Sequence, residues 1–184
     1  MTDRLHFTGN EEADRLIAQD PFALLIGFAL DQRVPVPKAF MGPYVLRERL
    51  GSLEAAAVAA ADLEPIFRQI PAIHRFPAMM AKQVHALAVH IVERYDGDAA
   101  RVWTDATTSD ELRANIAALP GFGTMKVKAL GSVLAKRFGV ALAEPLIPWH
   151  PTLGDVDSAQ ALADYQGSKK VNKELWSRAT ADGG

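Results

Sequence analysis

The stretch that decides the fold is SDELRANIAALPGFGTMKVKALGSVLAKRFG, residues 109–139. Its first part places Leu112, Ile116 and Leu119 at spacings of four and three, one apolar face of a helix. Pro120 cannot continue that helix, because it has no N–H to give to the ladder. Gly121 and Gly123 can take positive φ, and they carry no side chain that would block a close approach. Phe122 between them is the apolar plug that pins the turn to the core. A second helix then runs from Thr124 to Phe138, and its first backbone N–H groups point outward. Donors at a helix N-terminus bind phosphate well, and Lys126 and Lys128 add charge beside Thr124. Contacts to phosphate are indifferent to base sequence. The competing reading is a tight turn between two helices, closed by a glycine and holding no ligand.

Working outward, the rest of the chain is also helical in pattern. Asn10 caps a helix that carries Glu11 and Glu12 in its first turn and ends near Gln19. Asp20-Pro21 restarts the chain as a cap and a first-turn proline. Phe22–Gln32 is apolar on nearly every side, which predicts a central, buried helix. Helical segments are also predicted over Lys38–Leu50, Leu53–Ala61, Glu64–Gln69 and Met79–Tyr95, with prolines marking the breaks. After Gly139 the chain reads as irregular through Asp155. Ser158 is expected to cap a last helix, divided at Gly167, whose Lys169, Lys170, Lys173 and Arg178 make it basic. No β-branched or aromatic run alternates long enough for a sheet.

Composition narrows the function. The 184 residues are 49% apolar and 23% charged, enough for one sizeable core or two small helical lobes. A net charge of −2 confines any nucleic-acid footprint to a local patch. The chain has no cysteine, which excludes disulfides, a Cys-ligated iron–sulfur cluster and a zinc ribbon. The apolar run Phe22–Leu30 is stopped by Asp31 far short of a membrane span, and the N-terminus lacks a signal-peptide pattern. The expectation is a cytoplasmic monomer with no membrane contact.

An apolar helix, Leu119-Pro120-Gly121-Phe122-Gly123 and a Lys-bearing helix together resemble the helix–hairpin–helix (HhH-GPD) superfamily of base-excision DNA repair glycosylases. Endonuclease III and the alkylpurine glycosylases belong to it. The resemblance is strongest over residues 109–139 and weaker over residues 22–50. It implies an all-α fold in which residues 1–184 form a single unit of two lobes, near 22–95 and 98–184. The N-terminal segment would pack on either lobe, and the hairpin motif spans 110–138. It further implies double-stranded DNA in the cleft, gripped by its backbone, and a damaged base flipped into a pocket there. An alkali cation at the hairpin is implied, with no catalytic metal and no other cofactor. Gln32, at a helix–loop boundary, matches the residue that fills the gap left by the flipped base, and Arg33 can take that part instead.

The catalytic match is incomplete. Lyase members carry a nucleophilic Lys two residues after the second hairpin glycine, where this chain has Met125. Lys126 is expected to face another way, since each helical residue turns about 100°. Schiff-base chemistry and strand cleavage are therefore not expected. No Asp stands at the family distance after the second helix. Glu144, five residues past Gly139, and Asp155, eleven further on, are the candidate carboxylates to stabilise the cationic sugar. Trp149 either stacks on the flipped base or anchors its loop in the core. The leading reading is thus a monofunctional DNA glycosylase, with cationic N-alkylated bases as the favoured substrates because they leave readily. The alternatives are a non-catalytic binder of DNA lesions or structures with the same fold, and a helical protein-interaction module without a DNA role.

Overall fold

The computed structural model describes residues 2–182, and among them the chain forms helices and no strand. The α-helices are α1 (Glu11–Gln19), α2 (Pro21–Leu30), α3 (Val36–Leu50), α4 (Ala55–Ala60), α5 (Leu63–Arg68), α6 (Pro77–Tyr95), α7 (Arg101–Thr104), α8 (Ser109–Ala117), α9 (Thr124–Phe138) and α10 (Ala159–Asp182). Two 3-10 turns, Ala141–Leu146 and Leu153–Asp155, lie between α9 and α10. No described helix is long and apolar enough to cross a membrane.

The expected start signals operate as sequence chemistry requires. The Asn10 side chain accepts from the Ala13 N–H, and Asp20 accepts from Phe22 and Ala23 ahead of Pro21. Thr108 caps α8 by accepting from the Glu111 N–H. α10 runs through Gly167 without a break, and α3 begins two residues earlier than the pattern suggested. α7 has only four residues, too few to show a period.

The heavier helix packings fall into two sets. α1 to α6 pack among themselves, while α7 to α10 and the two 3-10 turns pack among themselves. One continuous apolar core nevertheless runs through both, from Leu5 to Leu162. The N-terminal segment belongs with the first set: Phe7 is fully buried and meets Phe40 edge-on at 5.0 Å. α2 is the axis of that set, buried from Phe22 to Leu30. Each of its large apolar side chains contributes about 1.5–3 kcal/mol on burial. α2 and α3 approach closely at two glycines. A Cβ on Gly27 would fall 2.3 Å from the Phe40 ring, and one on Gly42 would fall 2.3 Å from Leu30. That packing fixes the C-terminal end of α2, where Asp31 begins the turn to α3. In the second set, Gly154 lies against the α9 backbone, with room for no Cβ beside Ser132. The loop carrying His150 is thereby held along α9.

Candidate functional site

The α8–α9 hairpin projects as an exposed tip on a buried base. Gly121, Gly123 and Thr124 are exposed, whereas Leu119 and Phe122 are buried. Gly121 has φ +80°, the left-handed region the turn needs. A Cβ there would also fall 1.8 Å from Gln83 Nε2. Gly123 does not use that freedom: its φ is −83° with extended ψ, and it is the N-cap of α9. Nothing lies within 4 Å of where its Cβ would be, so its bare backbone faces open space. Among the described helices of eight residues or more, α9 alone starts with neither a side-chain cap nor a proline. It also has no acidic residue in its first turn.

Beside the hairpin lies a cavity of about 330 Å³ where the two helical sets meet. The first set contributes Phe28 and the Asp31–Arg33 turn. α9 contributes Met125, Lys126 and Ala129, the loop before the second 3-10 turn contributes His150 to Leu153, and α10 contributes Tyr165, Lys169, Lys173 and Trp176.

Lys126 turns into this cavity instead of toward an outside phosphate. Its Nζ donates to the Ala29 carbonyl at 3.2 Å and lies 5.5 Å from the centre of the Phe122 ring. Burial lowers its pKa from 10.5 to about 8, against a smaller upward pull from Asp31. Asp31 shifts the other way: burial holds its carboxyl above the usual range, opposed by the charges of Lys169 and Lys126. The Tyr165 hydroxyl, raised by burial and then by Asp31 and Asp155, stays protonated. Lys128 is half-buried and does not line the cavity.

Gln32 is held inward. Its Nε2 donates to the Ala29 carbonyl and to Gln83 Oε1, both at 3.1 Å. Gln83 in turn lies against Gly121, so the hairpin tip, Gln83, Gln32, the Ala29 carbonyl and Lys126 form one connected series. Behind it, the buried His74 bridges the Leu30 and Gln32 carbonyls through Nε2 and accepts the Phe76 N–H on Nδ1. Burial lowers its pKa, in keeping with a neutral ring. Arg33 is exposed and left-handed, with φ 57°. Its guanidinium lies 5.9 Å from the centre of the Phe76 ring, and the Arg75 guanidinium lies 5.3 Å from it. Gln32 is thus tethered by its own amide, and Arg33 is the one of the two whose side chain extends at the surface.

The two expected acids lie outside the cavity lining. Glu144 is exposed on the first 3-10 turn. Asp155 is bonded to Lys136 and accepts the Thr152 N–H at 2.9 Å, closing a capping box. Burial, which acts to raise the Asp155 carboxyl, is outweighed by those two hydrogen bonds and by the charges of Lys136 and Arg137, which hold it below the usual range. Trp149 is 68% exposed and neither lines the cavity nor anchors the core. Trp176 supplies the aromatic wall, stacked on His150 at 5.0 Å with Tyr165 at 6.3 Å. Arg178 lies beyond the residues whose side chains are described.

Asp31, His150, Tyr165 and Trp176 are therefore the site residues that reading the sequence missed. A signal existed for part of them. Tyr165, Lys169, Lys173 and Trp176 are spaced four, four and three, so they share one face of α10. No family model matches this chain, and neither a curated protein nor a solved structure matches it.

Proposed function

We propose that this chain is a base-excision DNA repair protein, a two-lobed helical glycosylase of the HhH-GPD kind. In this reading it grips double-stranded DNA by the backbone and receives one extruded nucleotide in the cavity. The observation that supports it most is the exposed, uncapped start of α9 at Gly123, next to a cavity lined by the same helix. An uncapped helix N-terminus carries about half a positive charge and donors aimed outward, which suits a phosphate. The hairpin residues Gly121, Gly123 and Thr124 make those contacts, with Lys128 nearby and Phe122 as the anchor. An alkali cation is part of the same proposal, held among the carbonyls of the turn.

The acid in this scheme is Asp31. Base departure leaves positive charge on the sugar, and a carboxylate in a water-poor cavity stabilises it strongly. Water adds its oxygen to the sugar carbon, and its proton leaves with the base. Four cations, Arg33, Lys126, Lys169 and Lys173, share the cavity with that single acid. Such a wall disfavours a cationic N-alkylated base and favours a neutral lesion.

One observation favours the second reading, binding without cleavage: burial pushes the Asp31 carboxyl toward its neutral form, which stabilises no cation. Base release from a panel of duplexes carrying neutral and alkylated lesions separates the two. Asp31→Asn is expected to slow release by about a hundredfold or more, with Glu144→Gln and Asp155→Asn near wild type. Loss in those two with Asp31→Asn active would return the acid to the loop. Tight lesion binding with no release by the wild type would establish the binder.

A further inference from the structure

Four cationic side chains converge on the cavity in a chain whose net charge is −2. Among the described residues none of the ion pairs uses Arg33, Lys126, Lys169 or Lys173, whereas Arg15, Arg68, Arg101, Arg113 and Lys136 are all paired with carboxylates. Asp31 is the single carboxylate among the lining residues against these four cations, so the excess positive charge is costly unless an anion enters. Lys169 and Lys173 are one turn apart on α10, and Arg33 faces the same space from the α2–α3 turn.

A second, independent observation concerns His150. It is only 7% exposed and lines the cavity. Its Nδ1 pairs with the Pro151 carbonyl at 3.0 Å, which puts the ring proton there. That leaves Nε2 as a bare acceptor, and this buried atom has no hydrogen-bond partner among the described residues. An orphaned buried acceptor on the cavity wall matches an N–H on the edge of a heterocycle.

We infer that the cavity binds a nucleotide by its phosphate as well as by its ring, with Lys169, Lys173 and Arg33 on the phosphate and His150 at the ring edge. The ligand class is a phosphorylated planar heterocycle. It deepens the DNA-repair reading above but does not need the hairpin, so the two fail separately. Lys126, whose amine is held by the Ala29 carbonyl, is not assigned to the phosphate.

Calorimetric titration of the full chain with deoxyadenosine 5′-monophosphate, deoxyadenosine and inorganic phosphate tests it. The monophosphate is expected to bind about tenfold or more tightly than either of the others, as charge-assisted contacts require. The double variant Lys169→Gln/Lys173→Gln removes two charges from the cavity face of α10, where Lys169 is half-buried and Lys173 exposed, and is expected to bring the monophosphate down to nucleoside affinity, leaving the nucleoside unchanged. His150→Phe keeps the stack on Trp176 and is expected to weaken nucleoside and monophosphate alike. Equal affinity for nucleoside and monophosphate, phosphate binding as tightly as the monophosphate, or no effect of the double variant would each overturn the inference. A competition arm identifies the source. Displacement of a duplex with an unpaired adenosine, but not of a fully paired one, assigns the cavity to a nucleotide extruded from DNA; displacement of neither assigns it to a free nucleotide. Duplex binding that persists when mononucleotide binding is absent would sink this inference alone, and the reverse would sink the DNA-repair reading alone.

Discussion

Lys126→Met reads the electrostatics of the cavity directly. In the folded chain burial brings the amine from 10.5 down to about 8, and unfolding returns it to 10.5. Between those two values the unfolded state holds the extra proton, so stability rises with pH through that window. Below pH 8 the full cost of burying the charge is present; above 10.5 it is gone. A drop of this size corresponds to about 3 kcal/mol. Methionine keeps the length of the side chain without its charge, and the Ala29 carbonyl retains its hydrogen bond from Gln32. The substitution also removes the pull of Lys126 on Asp31, which offsets part of the gain. The net expectation is a variant more stable than wild type by about 2 kcal/mol at pH 7, with the difference shrinking toward zero near pH 10.5. Urea unfolding of both proteins at the two pH values measures it, and groups shared by both cancel in the comparison. A variant less stable at pH 7, or a difference that does not change with pH, would refute the reasoning.

Two further outcomes follow from the hairpin and the cavity. Gly121→Ala must hold alanine at φ +80° and displace the Gln83 amide, at a combined cost of about 2–3 kcal/mol. Thermal unfolding is expected to show a fall of roughly 5–10 °C, and an unchanged midpoint would contradict the turn geometry. Borohydride treatment with an abasic duplex tests the amine itself. Lys126 enters the cavity, contrary to the direction its position on the helix suggested, but its amine is held by the Ala29 carbonyl and water is the nucleophile in the proposed reaction, so no trapped adduct is expected with wild type. A wild-type adduct that Lys126→Met abolishes would contradict hydrolysis by water alone.

The helices were legible because their signals are local. Asn10 caps α1 and Asp20-Pro21 opens α2 through bonds within three residues, so the sequence contains both partners. The uniform apolarity of Phe22–Leu30 likewise translates into burial on every side. Gly167 misled because glycine in a helix costs only about 1 kcal/mol, which the rest of α10 outweighs. The hairpin was legible for the same local reason, except at Gly123, where glycine serves bare backbone and not a left-handed turn. The cavity was not legible. Asp31 and Trp176 lie far apart in sequence and line one cavity only because the two helical sets come together there. Lys126 shows the difference most sharply. Its position on the helix could be counted, but which neighbours enclose that face depends on where α2 and α10 end up. Glu144 and Asp155 fail as cavity residues by the same logic: Asp155 meets Lys136, a partner that spacing along the chain does not announce.

The hairpin's role is tested most directly by Gly123→Asp, because the two consequences run in opposite directions. Gly123 is an N-cap with open space around it, so aspartate fits and caps α9 with its own carboxylate. Helix stability is expected to hold or rise by a few tenths of a kcal/mol. The same carboxylate occupies the donors and repels phosphate. Affinity for an undamaged fluorescent duplex, measured across several sequences at low salt, is expected to fall by about tenfold or more for every sequence alike, from a wild-type affinity that itself weakens steeply with salt. A variant that stays folded and binds duplex as tightly as the wild type would contradict the assignment of α9's N-terminus to the DNA backbone.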